Sequence, residues 1–238
     1  ETATYQIIES KDSMKEMLEK AMKTKRIAAW LLRDDCRSED IIGLSIALSE
    51  QELYFIRVGL EITSAMLISA MKLIIDSVQD ETDTDRRFLG FQLKDEYRFY
   101  DPLHTRGLFD VQLAAYLLNP LKNDYKIEDI ANEYLDFSMP LLENMLGKKK
   151  FSQTYLDKKD EVEQYAVYYV QTCLRAAEKL EDHLIQDGMF ALFEEIEMPL
   201  TLVLWEIEKN GIMVRADELK NYGDALVGRI NELEQKIV

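Results

Sequence analysis

The stretch Ile27-Ala28-Ala29-Trp30-Leu31-Leu32 constrains the fold more than any other. It is apolar throughout, too short for an independent helix, and runs into Arg33-Asp34-Asp35, so it reads as a strand buried on both faces. Two more strand-like runs follow, Ile41 to Ser49 and Glu52 to Val58, separated only by Glu50-Gln51, which is hairpin spacing. The three are expected to form an antiparallel meander with the first strand near the centre of a sheet. Upstream, Tyr5 to Ile8 predicts a short strand. Ser10 then caps a helix that carries Met14, Met17, Leu18, Ala21 and Met22 at helical spacing, a stripe that reads as core.

Beyond the meander, Ile62 to Val78 predicts an amphipathic helix. Asp80 to Asp85 is an acidic loop, lacking the glycine turn and spaced terminal glutamate of a calcium loop. Arg87 to Phe91 predicts a strand, and Leu93 to Tyr100 a helical turn that stops at Asp101-Pro102, because a residue before proline is pushed out of the helical region. Helices are then expected from Asp110 to Asn119, from Ile127 to Leu135, near Pro140 to Leu146, and from Lys158 to Gln186. Past Gly188, Met189 to Asn210 predicts a helix interrupted at Pro199 and closed by Gly211, followed by a brief strand at Ile212-Met213-Val214 and a helix from Asp217 to Val238.

Charge and composition limit the function classes. The chain has 238 residues, 47% of them hydrophobic, which is enough for a sizeable core. Its formal charge of -16 opposes association with phosphates, so the chain alone is expected to bind DNA weakly or not at all. Cys36 and Cys173 cannot make a disulfide framework and sit in no zinc-ligand spacing. A reducing cytoplasm is the expected compartment, and no apolar run reaches the roughly 18 residues that would span a membrane. Glu1 in place of methionine points to a piece of a longer protein.

The most specific motif is Phe193-Glu194-Glu195-Ile196-Glu197-Met198-Pro199-Leu200, continuing through Val203-Leu204 and Ile207-Glu208 to Asn210-Gly211-Ile212 and Val214. It is very similar to the junction between the proofreading and polymerase domains of the family A polymerases, the bacterial DNA polymerase I type. Phe109-Asp110 through Ala115-Tyr116-Leu117-Leu118-Asn119-Pro120 resembles the helix after the second exonuclease motif of that family, and Ile42-Gly43-Leu44-Ser45-Ile46-Ala47 resembles its second strand. The resemblance implies an α/β fold: a ribonuclease H-like, DnaQ-type 3'-5' exonuclease mixed sheet flanked by helices over residues 1–187, then the helical start of a polymerase thumb over 188–238. It implies that the partner is the rest of a polymerase chain, that DNA is met through that parent, and that Mg2+ belongs to the parent's polymerase site.

Family proofreading uses two metal ions held by four carboxylates. Aligned on the flanking strands, the two first-motif positions fall on Leu31 and Arg33, neither of which offers the oxygen that magnesium demands. Second-motif positions fall on Gln92 and Glu96. Third-motif positions fall on Tyr165, which matches the water-orienting tyrosine, and on Tyr169, where the family has a metal-binding aspartate. Arg33 would also set positive charge beside a divalent cation, at a cost of about 8 kcal/mol for a separation of about 4 Å and an effective dielectric near 20. The resemblance therefore implies a degenerate exonuclease with a filled, metal-free cleft, retained as a scaffold. Two alternatives remain open: an active exonuclease that recruits Asp34, Asp35 and Glu96 as rearranged ligands, and a non-hydrolytic single-strand-binding module using Arg86, Arg87, Lys94 and Arg98.

Overall fold

In the computed structural model the described residues are 3–80, 85–122 and 124–237, with the side chain of residue 237 excepted. The central part of the expected acidic loop, residues 81–84, lies outside them. Strand β1 (Gln6–Ile8) leads into α1 (Lys11–Ala21), and the Ser10 hydroxyl accepts from the Ser13 amide as the expected cap. The meander follows as β2 (Arg26–Leu32), β3 (Gly43–Ala47) and β4 (Leu53–Arg57). Helix α2 (Ser64–Val78) precedes β5 (Arg87–Gly90), a 3-10 turn (Leu93–Glu96), α3 (Tyr97–Tyr100) and β6 (Leu108–Asp110).

These strands make one mixed sheet in the order β1-β4-β3-β2-β5-β6. β2 pairs antiparallel with β3 and parallel with β5, which puts it in the interior of the sheet as expected from its unbroken apolar run. β1 joins β4 in parallel, and β6 joins β5 in parallel. Every residue of β3 is buried, and a Cβ at Gly43 would collide with the Phe55 ring of β4, so the close pairing there requires glycine.

Five helices complete the first part of the chain: α4 (Val111–Leu118), α5 (Ile127–Leu135), α6 (Leu142–Leu146), α7 (Phe151–Asp157) and the 28-residue α8 (Lys159–Gln186). α8 packs against β2, β3, β4 and β5. Its fully buried Glu163 takes two hydrogen bonds from Arg57 of β4, at 2.7 and 2.8 Å, and one from Tyr155 of α7 at 2.7 Å, fixing the start of the helix on the sheet. The segment expected to open directly as a helix at Phe109-Asp110 instead pairs first as β6, and α7 was not expected at all.

After α9 (Phe190–Leu192) the backbone makes one π-helical turn, Phe193–Glu197, and continues as α10 (Met198–Asn210). The expected interruption thus precedes Pro199: the Met198 amide reaches back to the Phe193 carbonyl, and proline has no N–H with which to continue the α pattern. Gly211 has φ of +66°, the left-handed geometry of a helix C-cap. Ile212-Met213-Val214 is not a strand; all three residues are exposed and none pairs with another segment.

Two compact units are distinguished, Glu1–Val203 and Leu204–Val238. The second consists of the end of α10 and α11 (Ala216–Ile237). Along α11, Leu219, Tyr222, Leu226, Ile230 and Leu233 are exposed at helical spacing, an apolar stripe with nothing packed on it within this unit. Among the described residues no helix is long and apolar enough to cross a membrane.

Candidate functional site

A cleft of about 530 Å³ opens at the end of β2 where α5, α6, α7 and α8 approach the sheet. Its floor is aromatic. Trp30 of β2 stacks on Tyr169 of α8 with ring centroids 4.1 Å apart, Phe151 and Trp30 pack edge-to-face at 5.8 Å, and Phe91 and Tyr169 do so at 5.9 Å. The Tyr169 hydroxyl donates to the Phe91 carbonyl at 3.2 Å, and burial pushes its pKa well above the ordinary phenol value.

Strand register explains which β2 residues reach this floor. Arg26 pairs with Glu181 of α8 and Trp30 stacks on Tyr169 of the same helix, so the even-numbered positions of β2 face α8. By alternation Leu31, which is fully buried, points to the other side of the sheet, and Leu32 shares the face of Trp30. Of the residues singled out from the sequence, Tyr165, Tyr169, Arg33, Gln92 and Glu96 all line the cleft and Leu31 does not. Trp30, its neighbour on the strand, does line it.

Beside the floor, Arg33 and Glu96 form a buried ion pair, Nη1 to Oε1, at 2.6 Å. Arg33 also donates to the Leu31 and Asp95 carbonyls and lies over the Phe99 ring at 4.8 Å. Desolvation raises the Glu96 pKa, and the Arg33 guanidinium opposes that rise. Arg33 Nε and Glu96 Oε2 are buried without hydrogen-bond partners. Behind this pair, Asp110 caps α4 through the Gln112 and Leu113 amides and also accepts from the Gln92 and Leu93 amides, which holds the 3-10 turn carrying Glu96 against the sheet. Burial raises the Asp110 pKa against those four bonds.

The proposed replacement ligands do not converge. Both carboxylate oxygens of Asp34 are taken by the Ser152 amide and hydroxyl at 2.7 Å, so Asp34 caps the start of α7. Asp35 accepts from the Arg37 amide, and Glu96 faces Arg33. Among the described residues no three His, Cys, Asp or Glu side chains are grouped to hold a metal ion. At the expected motif positions that line the cleft, Arg33, Gln92 and Tyr169 are not carboxylates, and the carboxylate among them, Glu96, is paired with Arg33. Tyr165 donates to Glu128 at 3.0 Å, and burial with that neighbouring carboxylate raises its pKa.

The cleft is also not the filled space expected from the sequence. Stacking covers its floor, but the volume above remains open, lined by eight carboxylates against two cations, Arg33 and Lys126. Nor do Arg86, Arg87, Lys94 and Arg98 line a groove. Arg86 is buried and donates to the carbonyls of Ala21, Thr24 and Ser77, Arg87 pairs with Glu194, and Arg98 pairs with Glu39.

DNA polymerase I of Bacillus subtilis (strain 168) is 29% identical over 213 residues, covering 86% of this chain and 22% of that protein. DNA polymerase I of Borreliella burgdorferi is 25% identical over 246 residues, covering 100% of this chain and 26% of that protein. The chain is related to bacterial DNA polymerase I. It spans about a quarter of the length of these family A relatives. No protein-family model matches it. Among solved structures, the polymerase domain of Pol1 from M. smegmatis in complex with DNA primer-template and dNTP superposes with a TM-score of 0.68 at 16% identity, covering 95% of this chain and 36% of that one. Escherichia coli RNase D, an exoribonuclease involved in structured RNA processing, superposes with a TM-score of 0.64 at 15% identity, covering 86% of this chain and 51% of that one. The fold is that of the ribonuclease H-like, DnaQ-type exonucleases, with a helical C-terminal part.

Proposed function

We propose that this chain is the proofreading-like part and thumb start of a DNA polymerase I in which the exonuclease is silent and serves as a scaffold for synthesis. In this reading residues 1–187 are the former exonuclease, and 188–238 begin the polymerase domain. Of the first-motif positions at Leu31 and Arg33, Arg33 lines the cleft and Leu31 does not, and neither these two nor Trp30 beside them offers a carboxylate. The Arg33–Glu96 ion pair carries the proposal: it joins the last acidic motif position to a fixed positive charge. Acidic walls also disfavour a DNA strand in the cleft. The exposed stripe of α11 is where the remaining polymerase chain would pack, and Mg2+ would act in that chain's polymerase site.

A time course with labelled single-stranded DNA in Mg2+ or Mn2+ tests the reading. The expected result is no release of mononucleotides and no binding by fluorescence anisotropy at low salt and micromolar protein. Metal-dependent release that disappears in Glu96→Ala would establish a rearranged active exonuclease instead.

A further inference from the structure

Carboxylates enter the cleft from two directions. Asp95 and Glu96 come from the 3-10 turn, whereas Asp124, Asp129 and Glu143 come from the approach to α5, from α5 itself and from α6. The aromatic surface of Trp30 lies on the floor with these walls around it. Glu96 adds a second observation of a different kind: it is 5% exposed, it lines the cavity, and its Oε2 has no partner. None of the described ion pairs uses Asp95 or Asp124. The two cations of the cleft are engaged, Arg33 with Glu96 and Lys126 with Glu143, each at 2.6 Å.

Such a lining accepts hydrogen bonds and offers few donors. A metal ion would need oxygens that converge on one point, and none do among the described residues. A flexible chain bearing separated ammonium groups has no such requirement, because each end can find its own carboxylates. Ammonium groups supply three donors and no acceptor, which complements carboxylate walls. Methylene segments gain by lying on apolar surface, and an ammonium passing over an indole is attracted by its π face. A volume of about 530 Å³ is within the range of small-molecule sites.

We propose that the cleft binds a linear aliphatic polyamine, with its ammonium ends at the two carboxylate walls and its methylene spacer across Trp30. This goes beyond the silent-exonuclease reading and is tested by binding alone, whatever the outcome of the nuclease assay. Spermidine is titrated into the full chain at constant ionic strength in a Trp205→Phe background, so that the tryptophan emission reports on Trp30. Saturable one-site binding is expected. The combined Asp95→Asn and Asp124→Asn substitutions should weaken it about tenfold, and n-butylamine, with one ammonium, should bind at least about tenfold more weakly than spermidine. A response that never saturates and matches added NaCl overturns the proposal. So does binding unchanged by the double substitution, which would be attraction to the acidic surface at large, and so does equal binding of n-butylamine.

Discussion

The indole of Trp30 and the phenol of Tyr169 lie 4.1 Å apart and 15° from parallel, joining β2, an interior strand of the sheet, to the 28-residue α8. A stacked aromatic pair contributes about 0.5–1.5 kcal/mol beyond its burial, and losing a large buried aromatic to alanine costs about 3–5 kcal/mol. Trp30 is only partly buried, so Trp30→Ala should cost near 3 kcal/mol by urea denaturation. Trp30→Phe, which keeps a ring on Tyr169, should cost about 1 kcal/mol. Equal losses for the two variants would show that the stack contributes nothing.

Arg33 and Glu96 are each 5% exposed, so removing one leaves the other as an uncompensated buried charge. Arg33→Met alone should destabilise by about 3–5 kcal/mol. In the double variant Arg33→Met, Glu96→Leu both charges are gone, and the loss should be well below the sum of the single ones. A double-mutant cycle by chemical denaturation measures the coupling, and additive losses would mean that the pair is not formed.

Acidity gives a separate test of the same carboxylate. Burial raises the folded-state pKa of Glu96, so the folded state binds its proton more tightly than the unfolded chain does. The stability this contributes is complete below the unfolded value, about 4.3, and is lost as pH rises through the higher folded value. Glu96→Gln does not titrate, so the stability of the unsubstituted chain relative to Glu96→Gln should fall as pH rises through that window. Urea midpoints for both proteins between about pH 4 and 7 supply the difference; a difference that grows with pH would mean that Arg33 outweighs desolvation.

Most of the sheet was legible because its strands are continuous apolar runs bounded by short polar connections, as in β2, β3 and β4. β6 was hidden by its brevity and by Asp110, whose role as a helix cap dominates the local pattern. α7 has no serine, threonine, aspartate or asparagine at its N-cap, Lys150; the oxygen atoms that hold the Ser152 amide and hydroxyl in its first turn come from Asp34, 118 residues before Ser152. At the site, Arg33 and Glu96 could be picked out individually, but their pairing spans 63 residues and leaves no local trace. Trp30 escaped notice for a physical reason. A strand buried on both faces has no polar alternation to fix which side a residue takes, so whether Trp30 or Leu31 reaches the cleft is invisible until the partner helix is seen.

Tyr165 separates a relic from a working part. In a proofreading site the matching tyrosine orients water, whereas here its hydroxyl donates to Glu128 at 3.0 Å while the Leu142 amide donates to the same oxygen. The phenol thus ties α8 to α5. Tyr165→Phe should lower stability by about 1.5 kcal/mol, as expected for a buried hydrogen bond to a carboxylate, because the Leu142 amide still holds Glu128. Glu128→Gln keeps an acceptor and should cost less. If Tyr165→Phe leaves the urea midpoint unchanged and instead removes a metal-dependent release of nucleotides, the tyrosine is poised for water and the cleft retains its hydrolytic chemistry.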